Sequence, residues 1–126
     1  MPVKYTIRTK NPGLVKDGNP KYYPVLTDRR STDLRKLCAL ISQRSTLHPV
    51  DIVAVIQAMI ELIPELLQDG HTVRLDGFGI FNLHASGIGK TRPEEVTSKD
   101  ITGVKMSFLA DKHIKRQLYK TKFVKK

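Results

Sequence analysis

Apolar positions change their period along the chain, and each change marks a different kind of element. After Ser31-Thr32-Asp33, the residues Leu34, Leu37, Cys38 and Ile41 fall at helical spacing on one face, and Ser31 or Thr32 can offer a hydroxyl to the unpaired amides of the first turn. Ser45-Thr46 breaks this helix. A second helix is predicted from His48-Pro49 to Gln68, because Pro49 suits the first helical position, Asp51 favours the positive end of the dipole and Gly70 supplies the stop. Pro64 removes one backbone bond inside it, which predicts a bend near Ile60 or a split into two helices. From Ile52 to Leu67 the apolar residues surround almost the whole helix, whereas a helix on the surface of a small monomer carries a single stripe. Burying it on all sides in so short a chain calls for a second subunit.

The period then falls to two. Valine and leucine alternate with polar residues from Thr72 to Leu75, and Phe81 and Leu83 resume the alternation. Gly77 and Gly79 bracket Phe78, where a tight connection needs glycine's backbone freedom. This reads as a hairpin with one buried face. Gly87 to Gly103 is polar, mixed in charge and without clear periodicity, as expected of a protruding arm, and Val104, Met106 and Phe108 return as a strand. Asp111 can cap a short basic helix ending at Leu118 or Tyr119, and the stretch from Lys120 to Lys126 is expected to fray. At the other end, Lys4–Arg8 and Tyr22–Leu26 are strand-like around the turn signals Asn11-Pro12-Gly13 and Asp17-Gly18-Asn19-Pro20. They read as a two-stranded appendage with Pro24 on an edge, disorder being the competing reading.

A length of 126 residues fits about one domain. We divide it into a hairpin extension over residues 1–30, a body over residues 31–119 with its arm at about 87–103, and a basic tail over residues 120–126. The formal charge of +10 is unevenly spread: +5 over residues 1–30, −2 over 31–70 and +7 over 71–126. The middle is built to pack and the flanks to meet something negative, either nucleic acid or an anionic membrane surface. No apolar run approaches the ~20 residues needed to span a bilayer, and Met1-Pro2-Val3-Lys4-Tyr5 lacks the core of a signal peptide, so a cytoplasmic location without a membrane partner is expected.

Catalytic and cofactor chemistry find no support. Cys38 is the only cysteine, so no intramolecular disulfide can form, and its apolar neighbours suit a buried side chain. His48, His71, His84 and His113 lie in separate elements without a metal-binding pair. Gly87-Ile88-Gly89-Lys90-Thr91 has the end of a phosphate-binding loop but His84 where that loop requires glycine, and no amphipathic helix follows. With no nucleophile elbow either, the expectation is a protein that is no enzyme and needs neither metal nor cofactor.

The order of elements, with Thr32-Asp33-Leu34, Leu47-His48-Pro49-Val50-Asp51, Val73 through Phe81, and Phe108 followed by Lys112, Ile114 and Lys115, resembles the HU and integration-host-factor proteins. The resemblance covers about residues 31–118 and is similar in detail to an HU-related subgroup with an N-terminal extension. It implies an α+β fold: a helical base, a β-hairpin saddle and a protruding β arm in an intertwined homodimer, here with a small N-terminal β-hairpin added. It further implies a nucleoid-associated, architectural protein that binds duplex DNA by phosphate backbone and minor groove with little base specificity. In that family a proline at the arm tip wedges between base steps and bends the duplex. Lys90-Thr91-Arg92-Pro93 falls at that tip, making Pro93 the wedge and Lys90 and Arg92 the nearby charge. Glu94 and Glu95 follow it, and His84 and Ser86 stand where the family places arginines. Lys99, Lys105, Lys112, Lys115 and Arg116 are further candidates for phosphate contacts. A second reading, of another class, is a dimeric assembly or adaptor module with weak or no DNA binding, its protein partner held by Tyr5, Tyr22 and Tyr23 of the hairpin.

Overall fold

In the computed structural model, which describes residues 2–9 and 20–126, α1 (Leu34–Gln43) and α2 (Pro49–Gln68) form where the helical periods run. Between them the Ser42 hydroxyl donates to the Leu47 carbonyl at 2.9 Å, and the Leu47 amide donates to the Ser45 hydroxyl at 3.3 Å. The start of α2 is capped by the His48 ring, whose Nδ1 accepts from the Val50 amide at 3.4 Å, with Pro49 in the first turn where its missing donor costs nothing. At the other end Gly70 adopts φ 87°, and the His71 amide closes back on the Leu66 carbonyl at 3.0 Å. Pro64 does not split the segment, which runs as one helix. No helix among the described residues is long and apolar enough to cross a membrane.

A three-stranded sheet follows, in the order β3 (Val73–Leu75), β4 (Gly79–Gly87), β5 (Ile101–Ala110), all antiparallel. The turn from β3 to β4 closes with the Phe78 amide on the Leu75 carbonyl at 2.9 Å and places Gly77 at φ 84°. Gly79 is glycine for another reason than the backbone freedom expected of it. A Cβ there would run into the Phe108 ring and, at 2.5 Å, the Leu109 carbonyl, so the position demands close approach between strands. The space admits Phe108 between Phe78 and Phe81, with ring centroids 5.0 and 4.9 Å away. α3 (Lys112–Leu118) begins where Asp111 binds the turn: its Oδ2 accepts from the Gly77 amide at 3.1 Å, and its own amide donates to the Phe78 carbonyl at 2.9 Å.

The chain separates into two compact units, Leu34–Arg116 and the terminal segments Met1–Asp33 with Gln117–Lys126. In the terminal unit β1 (Val3–Thr9) pairs antiparallel with β2 (Tyr22–Thr27), and Pro24 sits in register with Ile7 on an edge strand, where sheets tolerate proline. The turn signals at Asn11-Pro12-Gly13 and Asp17-Gly18-Asn19 lie outside the described residues. The terminal stretch expected to fray instead forms β6 (Phe123–Lys125), parallel to β1, so the sheet order is β2-β1-β6. Strand pairing overrides the local composition: the Val3 amide donates to the Lys122 carbonyl at 2.8 Å and the Lys126 amide to the Tyr5 carbonyl at 2.9 Å. Asp28, at φ 57°, clasps the sheet, with Lys126 Nζ 3.0 Å and Lys4 Nζ 4.0 Å from its carboxylate. The Lys126 hydrogen bond and charge, joined by Lys4, hold the Asp28 carboxyl below the usual carboxylate range.

Gly79→Ala should destabilise the body by about 1–3 kcal/mol through overpacking. Gly77→Ala, in open space at positive φ, should cost about 1–2 kcal/mol; urea unfolding in which Gly79→Ala proves neutral would contradict the close-approach assignment. Because the folded state lowers the pKa of Asp28, its stabilising contribution is complete above the ordinary carboxylate range and is lost as pH falls through the lowered value. Melting curves of wild type and Asp28→Asn should therefore differ most near neutrality and converge as pH falls through the lowered value.

Candidate nucleic-acid interface

Strand register sorts the body's sheet into two faces. Val73, Leu75, Phe81, Leu83, Val104, Met106 and Phe108 share one, and Arg74, Ile80, Asn82, His84, Ser86, Lys105, Ser107 and Leu109 share the other, which is the more polar of the two. On the polar face His84 stands in register with Lys105, and its Nε2 lies 2.6 Å from the Ser107 hydroxyl. The face thus offers cations at Arg74 and Lys105 beside the neutral Asn82, His84 and Ser107, with the apolar pair Ile80 and Leu109 next to Arg74; an arginine and a lysine so placed suit phosphate oxygens. Arg74 joins the candidate residues through the register alone, its place between Val73 and Leu75 assigning it to the polar side.

At the far end of the hairpin, Ser86 pairs with Gly103 and Gly87 with Ile101, leaving Thr102 as an extra residue in a bulge. The strands consequently extend further than the expected arm boundaries, and β5 starts at Ile101. Residues 88–100 between them hold two short 3-10 turns, Pro93–Glu95 and Ser98–Asp100. Asp100 latches this segment. Its Oδ2 accepts from the Thr97 amide at 2.9 Å, its Oδ1 lies 3.6 Å from Lys90 Nζ, and its carbonyl accepts from the Ile88 amide at 2.9 Å. Lys90 is therefore committed to an internal ion pair. Pro93 opens the first turn in an exposed position with Arg92 before it and Glu94 and Glu95 within it, and Lys99 sits in the second. Basic Lys90 and Arg92 precede Pro93, and acidic Glu94 and Glu95 follow it.

Lys112, Lys115 and Arg116 share one side of α3 by their three- and four-residue spacing. The structure places them beside the Gly77 turn, at the opposite end of β4 from the arm. At about 3.3 Å per residue, the strand from Gly79 to Gly87 separates the two ends by roughly 26 Å, about the rise of eight base pairs. The candidate residues thus form three stations along one hairpin: the arm tip, Lys105 at mid-strand, and α3. The body as a whole is only weakly basic, since residues 34–116 hold eleven Lys and Arg against nine Asp and Glu. Among the described residues no group of three or more His, Cys, Asp or Glu could hold a metal ion.

The family model described as an HU domain fused to wHTH, Ig, or Glycine-rich motif matches residues 1–125. The alpha subunit of integration host factor from Caulobacter vibrioides is 27% identical over 88 residues, covering 65% of this chain and 88% of that subunit. A crystal structure of a candidate bacterial DNA-binding protein from Bacteroides vulgatus superposes with a TM-score of 0.69 at 15% identity. It is matched over 98% of this chain, which spans only 47% of that longer protein. The HU of an Anabaena HU–DNA cocrystal gives a TM-score of 0.55 at 19% identity, over 69% of this chain and 97% of its own. These structures share the fold.

Asp100→Ala should release the arm latch, because a hydrogen bond to an ionised acceptor contributes about 1.5–3 kcal/mol. Amide exchange at Thr97 should accelerate about tenfold or more, with exchange in the β3–β4 turn unaffected; unchanged exchange at Thr97 would remove the latch.

Proposed function

The chain belongs to the HU-HIG family, HU domains fused to wHTH, Ig, or Glycine-rich motif, and from that premise we propose that it is a non-catalytic architectural protein that binds duplex DNA as a homodimer with little base specificity. The observation that carries the reading is the two-faced sheet, which puts Arg74, His84 and Lys105, with only Ile80 and Leu109 as large apolar neighbours, on one side while its other side is apolar. The likeness to an HU solved with DNA supports the same partner. In this reading phosphates lie along the polar face from α3 towards the arm, and the neutral groups around His84 accept groove shape rather than sequence.

The homodimer follows from what the single chain leaves uncovered. Val55, Ile60 and Leu62 on α2 are 64, 56 and 51% exposed, and Phe78 and Phe108 are 46 and 44% exposed. A second copy that covers these positions completes the core. Bending is the finer part of the proposal: Pro93 would enter between base steps while Arg92 and Lys99 meet phosphates, opposed by Glu94 and Glu95. A nucleoid-associated location accompanies this reading. The adaptor alternative lacks comparable support, since the two solved structures of like fold are a candidate DNA-binding protein and an HU crystallised with DNA.

Replacing Lys112, Lys115 and Arg116 together by alanine should lower affinity equally on two unrelated duplexes and flatten the logarithmic salt dependence by about 0.9 for each phosphate no longer neutralised. An unchanged binding curve would remove α3 from the surface. Pro93→Ala should reduce the bend angle measured by fluorescence energy transfer more than it reduces affinity; identical angles would eliminate the wedge.

A further inference from the structure

The charge that the body lacks is on the terminal segments. Residues 1–33 and 117–126 carry eleven Lys and Arg against three Asp and Glu, a net +8 of the chain's +10. Of those three acids, Asp28 is already neutralised by Lys126 and Lys4. Strand register places Tyr5 and Ile7 of β1, Tyr22 and Leu26 of β2 and Phe123 of β6 on one face, with Lys125 in register with Tyr5. They line an open hollow of about 670 Å³. Tyr22 is 67% and Phe123 56% exposed, an unusual state for rings of this size in so basic a setting.

We propose that this face is a second nucleic-acid site, which stacks the unpaired bases of single-stranded DNA on Tyr5, Tyr22 and Phe123 while Lys21, Lys122 and Lys125 meet its phosphates. A polyanion answers the net charge, and aromatic faces select among polyanions. In a duplex the base faces are stacked on one another and hidden, so exposed rings gain nothing there; an unpaired strand presents both a π-face and a phosphate at each nucleotide. The rings carry no set of directed hydrogen-bonding groups, so binding is tolerant of sequence. The site is independent of the polar face of the body: it lies on different strands, and duplex binding can fail while this one stands.

The chain reports on the site without a label. All four tyrosines, Tyr5, Tyr22, Tyr23 and Tyr119, belong to the terminal unit and the chain has no tryptophan. Titrating the full chain with a 15-nucleotide oligodeoxythymidylate should quench tyrosine emission in a saturable way, whereas an abasic strand of equal charge should bind at least about tenfold more weakly. The pair Tyr22→Leu and Phe123→Leu keeps the apolar area and removes the rings. It should weaken oligodeoxythymidylate binding about tenfold or more while leaving duplex affinity, read from labelled DNA, unchanged. Should those variants misfold by circular dichroism, the comparison of thymidylate with the abasic strand on the wild type decides. Equal binding of the two strands would overturn the proposal, as would tighter binding of oligouridylate.

Discussion

The structure depends on a helix that is apolar on nearly all sides in a chain too small to enclose it. Among the described residues only Cys38, Ile52, Ile63 and Leu67 are buried apolar side chains. The open side of α2 and the phenylalanine face of the sheet are the apolar surface left to cover. In the proposed homodimer these become the interior, and folding and association become one event.

That requirement also fixes where the polar groups go. A strand alternates its side chains, so committing Phe81, Leu83, Met106 and Phe108 to the apolar side turns His84 and Lys105 to the other without any further choice. Gly79 lets Phe108 settle between Phe78 and Phe81, and Asp111 ties the start of α3 to the adjoining turn. The basic helix is thereby held at one end of the hairpin and the arm at the other. Packing on one face positions charge on the opposite one.

Much of this is legible in the chain because local signals and tertiary packing agree. His48-Pro49 and Gly70 bound α2, Gly77 marks the turn, and the alternation around Phe81 gives β4 its faces. Legibility ends where pairing depends on distant partners. Nothing in Phe123-Val124-Lys125 announces a strand; it becomes one because β1 offers an open edge. The start of β5 is hidden because the Thr102 bulge disrupts the alternation, and Asp100 is hidden because a latch made of one carboxylate has no period. Gly79 stands out in the sequence, but for the wrong reason, since its neighbours across the sheet, and not its own φ, exclude a side chain.

Charge divides unevenly between a nearly balanced body whose faces are set by packing and strongly basic terminal segments. The most direct test of the account is the dependence of mass and thermal midpoint on protein concentration. Sedimentation equilibrium should give twice the 14.3 kDa chain mass, with a melting temperature that falls on dilution and no folded monomer. A folded single chain whose melting temperature is independent of concentration would contradict the claim that a second copy completes the core.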